Sequence, residues 1–181
     1  PHRFSPETLA QAGELPDKIR PVDRKGRIDL SDVALVTIDG EDARDFDDAV
    51  YAERAGRGWR LLVAIADVSH YVRPGSAIDV EAHLRGTSVY FPQRVIPMLP
   101  EVLSNELCSL KPEVERLALV CDMRINARGE VKEYRFARGV IRSQARTTYT
   151  EIAAVVAGDE AQRARYKTLL PQIETLHRLY K

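Results

Sequence analysis

The chain has 181 residues, 44% of them hydrophobic and 30% charged, which suffices for one domain with an ordinary core and is too apolar for disorder. Its 27 basic and 27 acidic side chains cancel, which argues against a simple basic sleeve for nucleic acid. No apolar run approaches the ~20 residues of a membrane span, the N-terminus is no secretory signal, and Cys108 and Cys121 lack zinc-site or disulfide-scaffold spacing, so a soluble cytoplasmic protein without membrane contact is expected.

The opening, residues 1–32, reads as a linker with a short helix. Ser5 is placed to cap it, with Pro6 at the first helical position and Glu7 in the first turn. Pro16 and Pro21 end regular structure, and the polar stretch from Asp23 to Asp32 reads as a loop or short edge hairpin. The domain proper is expected over 33–181. A strand runs through Ala34-Leu-Val-Thr-Ile38 and stops at Asp39-Gly40. Asp48 to Glu53 and Trp59 to Ala66 flank a glycine turn and predict a hairpin. The unbroken apolar run Leu61 to Ala66 predicts a strand buried on both faces. Ser76 to Leu84 predicts a two-turn helix. Val89 to Pro100 holds Pro92, Pro97 and Pro100 and predicts an irregular wall.

A second hairpin follows, with Leu117 to Ile125 alternating in polarity and turning at Asn126-Ala-Arg-Gly129 into Val131 to Ser143. Thr148 and Glu151 have capping-box spacing, and Gly158 sits where that helix should end. A helical apolar stripe at Leu169, Ile173, Leu176 and Tyr180 closes the chain and predicts a partner beyond Lys181. The fold class expected is mixed α/β (α+β), a twisted, mostly antiparallel sheet with outer helices.

Charge is unevenly spread. Residues 39–48 carry six acids and one Arg, whereas Arg135, Arg138, Arg142 and Arg146 lie in a stretch without an acid. Asp39, Asp45, Asp47 and Asp48 flank a glycine loop just after a strand. In an extended segment Asp45 and Asp47 face one side, Phe46 and Asp48 the other. Convergence of all four therefore needs a bend, and it needs a cation to offset repulsion between carboxylates. One or two Mg²⁺ ions suit hard oxygen ligands with open positions for water and phosphate, and suit in-line phosphoryl displacement. The EF-hand pattern fails at Val50 and Arg57. A solvated acidic loop is the plainer alternative for such a run.

The segment Asp39-Gly-Glu-Asp-Ala-Arg-Asp-Phe-Asp-Asp-Ala49 resembles the catalytic signature of the RNase II/RNase R (RNB) exoribonucleases. The resemblance continues through Val63-Ala-Ile-Ala-Asp-Val-Ser-His-Tyr-Val72, Arg85-Gly-Thr-Ser-Val-Tyr-Phe-Pro92 and Val95 to Leu110, spans the whole chain, and is strongest to the bacterial RNase R branch. It implies Mg²⁺-dependent, processive 3′→5′ hydrolysis of RNA from a single-stranded 3′ end, releasing nucleoside 5′-monophosphates. Asp39, Asp45, Asp47 and Asp48 match the family's four catalytic, metal-binding aspartates. Asp39 and Asp48 resemble direct ligands, and Asp47 resembles the aspartate most needed for turnover. Tyr90 matches the aromatic that clamps the 3′-terminal bases. The resemblance further implies that 33–181 is the N-terminal half of the catalytic domain. Its remainder supplies a second aromatic, an arginine and a glutamate, with cold-shock and S1 domains elsewhere in the parent chain. Activity is then expected of the parent protein and not of these residues alone.

Arg85 and Thr87 precede Tyr90 and are candidates for phosphate or ribose contact. His70, Tyr71 and Phe91 are read as structural, Asp67 as a cap, and the Arg135–Arg146 run as a solvated face or an RNA channel wall. Walker, dinucleotide-fingerprint and nucleophile-elbow motifs are missing, so those enzyme classes lack support. The alternative to an exoribonuclease is a non-catalytic RNA-binding or interaction fragment.

Overall fold

The computed structural model describes residues 3–92 and 94–181. Helix α1, Pro6–Gly13, begins where Ser5 Oγ accepts the Thr8 N–H at 3.1 Å. It buries Thr8 and Ala12 against α3, Ala77–Arg85, which Ser76 caps in the same way. One seven-stranded sheet organises the rest. Numbered along the chain, its members are β1 (Ile28–Leu30), β2 (Val36–Asp39), β3 (Asp48–Ala55), β4 (Gly58–Ala66), β7 (Glu115–Ile125), β8 (Val131–Arg142) and β9 (Ala145–Thr148). They lie in the order β1-β8-β7-β4-β3-β2-β9.

Both expected hairpins form. In the first, β3 and β4 pair from Asp48↔Ile65 to Ala55↔Gly58. In the second, β7 and β8 pair antiparallel over their length, with an irregularity at Arg124/Ile125. The two are joined by β4·β7 pairing, so antiparallel contacts dominate as expected. Gly58 is required there, because a Cβ would stand 2.0 Å from the Ile125 carbonyl oxygen.

The two edges differ from expectation. Residues Ile28–Leu30, read as loop or hairpin, form an edge strand parallel to β8. Ala145–Thr148, between the expected end of the hairpin at Ser143 and the helix expected from Thr148, is an unexpected strand that pairs parallel with β2 from Val36↔Ala145 to Asp39↔Thr148. Strands of three or four residues carry too little periodicity to announce themselves. The proline-rich wall contains a small hairpin, β5 (Val89–Phe91) with β6 (Arg94–Ile96). Its prolines fall outside the paired residues, so they do not prevent pairing.

The core lies mainly on one sheet face. Ala49, Leu62, Ala64, Ala118 and Val120 meet Tyr71 of α2 (Val68–Tyr71), Ile78 of α3, and Leu103 and Leu107 of a π-helical turn, Val102–Leu107. Full burial of each of the leucines, Ile78 and Val120 contributes roughly 1.5–3 kcal/mol. On the other face, α4 (Tyr149–Ala157), α5 (Glu160–Arg165) and α6 (Leu170–Tyr180) bring Val155, Tyr166 and Ile173 to Val36. The terminal stripe thus has a partner within the chain: Leu169 and Ile173 are buried and Leu176 packs beside them, while Tyr180 is 87% exposed. Beyond α6 this face is open. Leu61 to Ala66 is consequently buried on one side only, with Ile65 46% exposed. The capping box of Thr148 and Glu151 forms, and Gly158 ends α4 at a φ of 96°.

Candidate active site

The short β2 carries Asp39 to the end of the sheet, and Asp48 opens β3 beside it. Between them, residues 40–47 form a loop held on both flanks. From the outside, Arg146 Nη2 donates to the Gly40 and Glu41 carbonyls at 3.1 and 2.6 Å, and the guanidinium lies 5.4 Å from the Phe46 ring. From the inside, buried Phe46 anchors the loop in the core, where its N–H donates to Ser109 Oγ at 3.1 Å and its carbonyl accepts the Leu110 N–H at 2.8 Å. The Asp47 carbonyl accepts the Ala66 N–H at 2.9 Å.

These anchors decide where the carboxylates point. Phe46 and Ala49 are three residues apart and both buried. Regular alternation is therefore broken between them, and Asp47 and Asp48 both face outward. The bend that convergence demands lies here as well as at Gly40.

The electrostatics record the crowding. Burial first, with the Asp48 and Asp45 charges adding to it, pushes the Asp39 carboxyl up from its ordinary value, while the Thr37 hydroxyl and then Arg146 pull the other way. Asp47 is exposed. Desolvation raises its pKa, followed by the charges of Asp45, Asp48 and Asp39. All four aspartates thus interact in one cluster. Among the described residues no three acidic, His or Cys side chains stand close enough to hold an ion as they are. Two features nevertheless fit a hard divalent cation. Asp39 Oδ2 is buried with no hydrogen-bond partner, and the surrounding donors are carboxylate oxygens whose mutual repulsion a cation would relieve.

Tyr90 on β5 joins this cluster. Its hydroxyl donates to Asp45 Oδ2 at 3.1 Å while 66% of the residue stays exposed. Partial burial, then the Asp45 charge, raise its pKa. The hydroxyl is tied and the ring remains accessible.

The other candidates separate. Arg85 does not face the cluster: it donates to Glu81 Oε1 at 2.6 Å and to the Arg3 and Pro97 carbonyls, and stacks over Phe4 at 3.9 Å. Its donors are thus used within the chain, on α3, on the N-terminal segment and on the Pro97 carbonyl. A single sequence does not distinguish a guanidinium that ties helices from one that holds phosphate. Thr87 is exposed and donates to the neighbouring Ser88 carbonyl at 3.2 Å. It shares with Arg85 the lining of an apolar cavity of about 870 Å³ beside Phe4, Val80 and Leu84. Phe91, read as core, is 51% exposed, whereas Tyr71 is buried.

His70 is structural, its Nε2 3.1 Å from Asp23 Oδ1. Asp67 sits at the start of α2, but its carboxylate takes the Ser69 hydroxyl and the Arg27 guanidinium instead of capping the helix backbone. The arginine run divides. Arg146 holds the acidic loop, Arg142 approaches Asp32 at 3.6 Å, and Arg135 and Arg138 stay exposed on β8. Sequence reasoning missed Arg146 as a loop holder, and missed Ser109 altogether. The only signal for Ser109 was its place in the conspicuous Val95–Leu110 segment.

Comparisons with known proteins agree on this chain's relationships. A family model described as the RNB domain matches residues 27–181. Ribonuclease R of Vibrio cholerae is 53% identical over 182 aligned residues, covering 100% of this chain and 22% of that protein. Ribonuclease R of Escherichia coli K12 is 55% identical over 172 residues, covering 94% of this chain and 21% of that protein. Ribonuclease R of Acidithiobacillus ferrooxidans is 54% identical and is covered over 41% of its length. The chain therefore spans less than half of each of these relatives. Among solved structures, Mycoplasma genitalium RNase R in complex with double-stranded RNA superposes with a TM-score of 0.82 at 35% identity, covering 87% of this chain and 28% of that one. The yeast pseudonuclease Ssd1 shares the fold alone, with a TM-score of 0.69 at 19% identity. A family-model match from residue 27 to residue 181, over every strand of the sheet, places this chain in the RNB domain family.

Proposed function

We propose that this chain is the N-terminal half of the catalytic domain, residues 33–181 with 1–32 leading in, of a Mg²⁺-dependent cytoplasmic exoribonuclease. The enzyme degrades RNA processively from a single-stranded 3′ end to nucleoside 5′-monophosphates. Ribonuclease R is the name borne by its relatives, and the remainder of the RNB domain with cold-shock and S1 domains would complete the protein. The observation that carries the reading is the acidic loop, where burial and the neighbouring aspartate charges push the Asp39 and Asp47 carboxyls up beside the unpartnered Asp39 Oδ2.

In this reading Asp39, Asp45, Asp47 and Asp48 hold one or two Mg²⁺ ions, with Asp39 and Asp48 as direct ligands. When bound, Mg²⁺ activates water and stabilises charge on the attacking and leaving oxygens of an in-line displacement. The chain's own residues do the positioning. Arg146 and the core contacts of Phe46 keep the loop from splaying under its charge. Tyr90 offers its ring to the terminal bases, and stacking accepts any base, as a sequence-tolerant exonuclease requires. Its hydroxyl reaches Asp45 while the ring stays exposed beside the carboxylates.

The experiment is degradation of a short single-stranded RNA by the full-length protein with and without Mg²⁺. Release of mononucleotides that stops on chelation is expected. RNA binding without degradation at any Mg²⁺ concentration would instead support the non-catalytic reading.

A further inference from the structure

We propose that Ser109 is a positioning residue that sets where Asp45 and Asp47 present their carboxylates. The inference rests on the metal-dependent hydrolysis proposed above. Ser109 is fully buried, outside the acidic segment, just after the π-helical turn. Its hydroxyl acts in both directions at one point, accepting the Phe46 N–H at 3.1 Å and donating to the Arg44 carbonyl at 3.1 Å. It therefore spans Asp45 with two hydrogen bonds.

Nothing regular does this work. Residues 43–47 belong to no strand or helix, so the backbone on either side of Asp45 has no ladder to hold it. Ser109 and Leu110 supply the missing partners, with Leu110 N–H donating to the Phe46 carbonyl at 2.8 Å. Ser109 is itself fixed. Its carbonyl accepts Arg116 Nε at 2.9 Å, and the preceding residue closes the π turn through Cys108 N–H to Leu103 O at 2.8 Å. The chain of support runs from β7, which carries Arg116, through Ser109 to the loop.

A hydroxyl is what the position requires. Alanine would leave a buried N–H and a carbonyl unpaired, and those groups would be satisfied only by moving the loop toward water. The load on the loop is also directional, because the clustered carboxylates repel one another and favour an opened loop when no cation is present. A rigid Arg44–Asp47 segment holds the carboxylates near a metal-binding arrangement in advance, so less ordering is left for the metal to impose.

The test uses the full-length protein and Ser109→Ala, a near-isosteric change. The expected result is at least a fivefold rise in the Mg²⁺ concentration giving half-maximal rate and at least a tenfold fall in kcat. RNA affinity in EDTA should stay within twofold of wild type. Ser109→Thr, which keeps the hydroxyl, should hold the wild-type metal dependence. A second readout does not depend on turnover: the rise in melting temperature caused by saturating Mn²⁺ should shrink in Ser109→Ala. Wild-type metal dependence and wild-type Mn²⁺ stabilisation in Ser109→Ala would overturn the proposal. So would a fall in kcat that merely follows the folded fraction, or a Ser109→Thr protein as impaired as Ser109→Ala. Should the wild type release no mononucleotides, the functional reading fails, and the Mn²⁺ measurement still decides the role of Ser109.

Discussion

Asp47 and Tyr90 carry most of the chemistry proposed for single side chains. Asp47→Asn keeps the shape but removes the charge that Asp45, Asp48 and Asp39 oppose. It should reduce RNA hydrolysis to background while RNA binding, which is spread over many phosphate contacts, stays near wild type. It should also raise the melting temperature in EDTA by about 1–2 °C, since relief of a partly solvated repulsion is a fraction of a kcal/mol in a domain of this size. Turnover at the wild-type rate would remove Asp47 from the mechanism. Tyr90→Ala should leave the first cleavages intact but lengthen the final undegraded RNA, because a stack worth about 1–3 kcal/mol matters most when few other contacts remain. Tyr90→Phe keeps the ring and loses only the 3.1 Å bond to Asp45, so its end product should match wild type on a sequencing gel. These positions were legible because the aspartates and Tyr90 lie in contiguous signature segments. Ser109 was not, because a buried serine has the same sequence appearance whether it caps a turn or latches a loop 63 residues away.

At the level of elements, α2 depends on a buried ion pair between Arg27, just before β1, and Asp67, just before α2. Arg27 and Asp67 side chains are 3% and 1% exposed and meet at 2.6 Å, with the Ser69 hydroxyl on the second carboxylate oxygen. Removing one partner of a buried pair leaves the other uncompensated, so Asp67→Ala should cost about 3–5 kcal/mol in chemical denaturation of the 181-residue polypeptide. A loss below about 1 kcal/mol would show that water reaches Arg27 there. Gly58→Ala should also be costly, since the added Cβ meets backbone 2.0 Å away and β4 and β7 must separate to admit it. Hairpins and capped helices were readable from the sequence because alternation, glycine turns and capping residues act locally. The parallel edge strands β1 and β9 were not, because a parallel partner lies far along the chain: Ile28 pairs with Gly139 and Val36 with Ala145. The one-sided burial of β4 was missed for a related reason. An apolar run reports that a strand tolerates burial, and the packing of α6 on β3 decides which side receives it.

For the whole molecule, two sets of carboxylates oppose each other in pH dependence. Asp23 and Glu81 anchor the N-terminal segment. Arg20 is the largest influence lowering Asp23, with its backbone and His70 adding to it. Burial works against the Glu81 charge, but the Ser5 N–H and Arg85 outweigh it and bring the pKa down to about 2. A carboxyl depressed in the folded state contributes stability above its unfolded pKa of about 4 and loses it as pH falls toward the folded value. Asp39 and Asp47 act in the reverse sense. Their folded values are raised, so their ionisation costs stability at neutral pH, and that cost disappears as pH falls through the raised values. Without metal, the melting temperature should therefore rise modestly as pH is lowered through the raised values of Asp39 and Asp47, then fall below about 4 as Asp23 and Glu81 take up protons. Saturating Mn²⁺ should remove the rise, because a bound cation stabilises the ionised cluster at neutral pH and protons compete with it at lower pH. Asp47→Asn should flatten the metal-free rise and leave the acid limb unchanged. Hydrogen exchange should assign that limb, with α1 amides losing protection first because Ser5 N–H to Glu81 at 2.9 Å ties the start of α1 to α3. A metal-free melting temperature that falls steadily from pH 7 downward would mean that the acidic loop carries no strain.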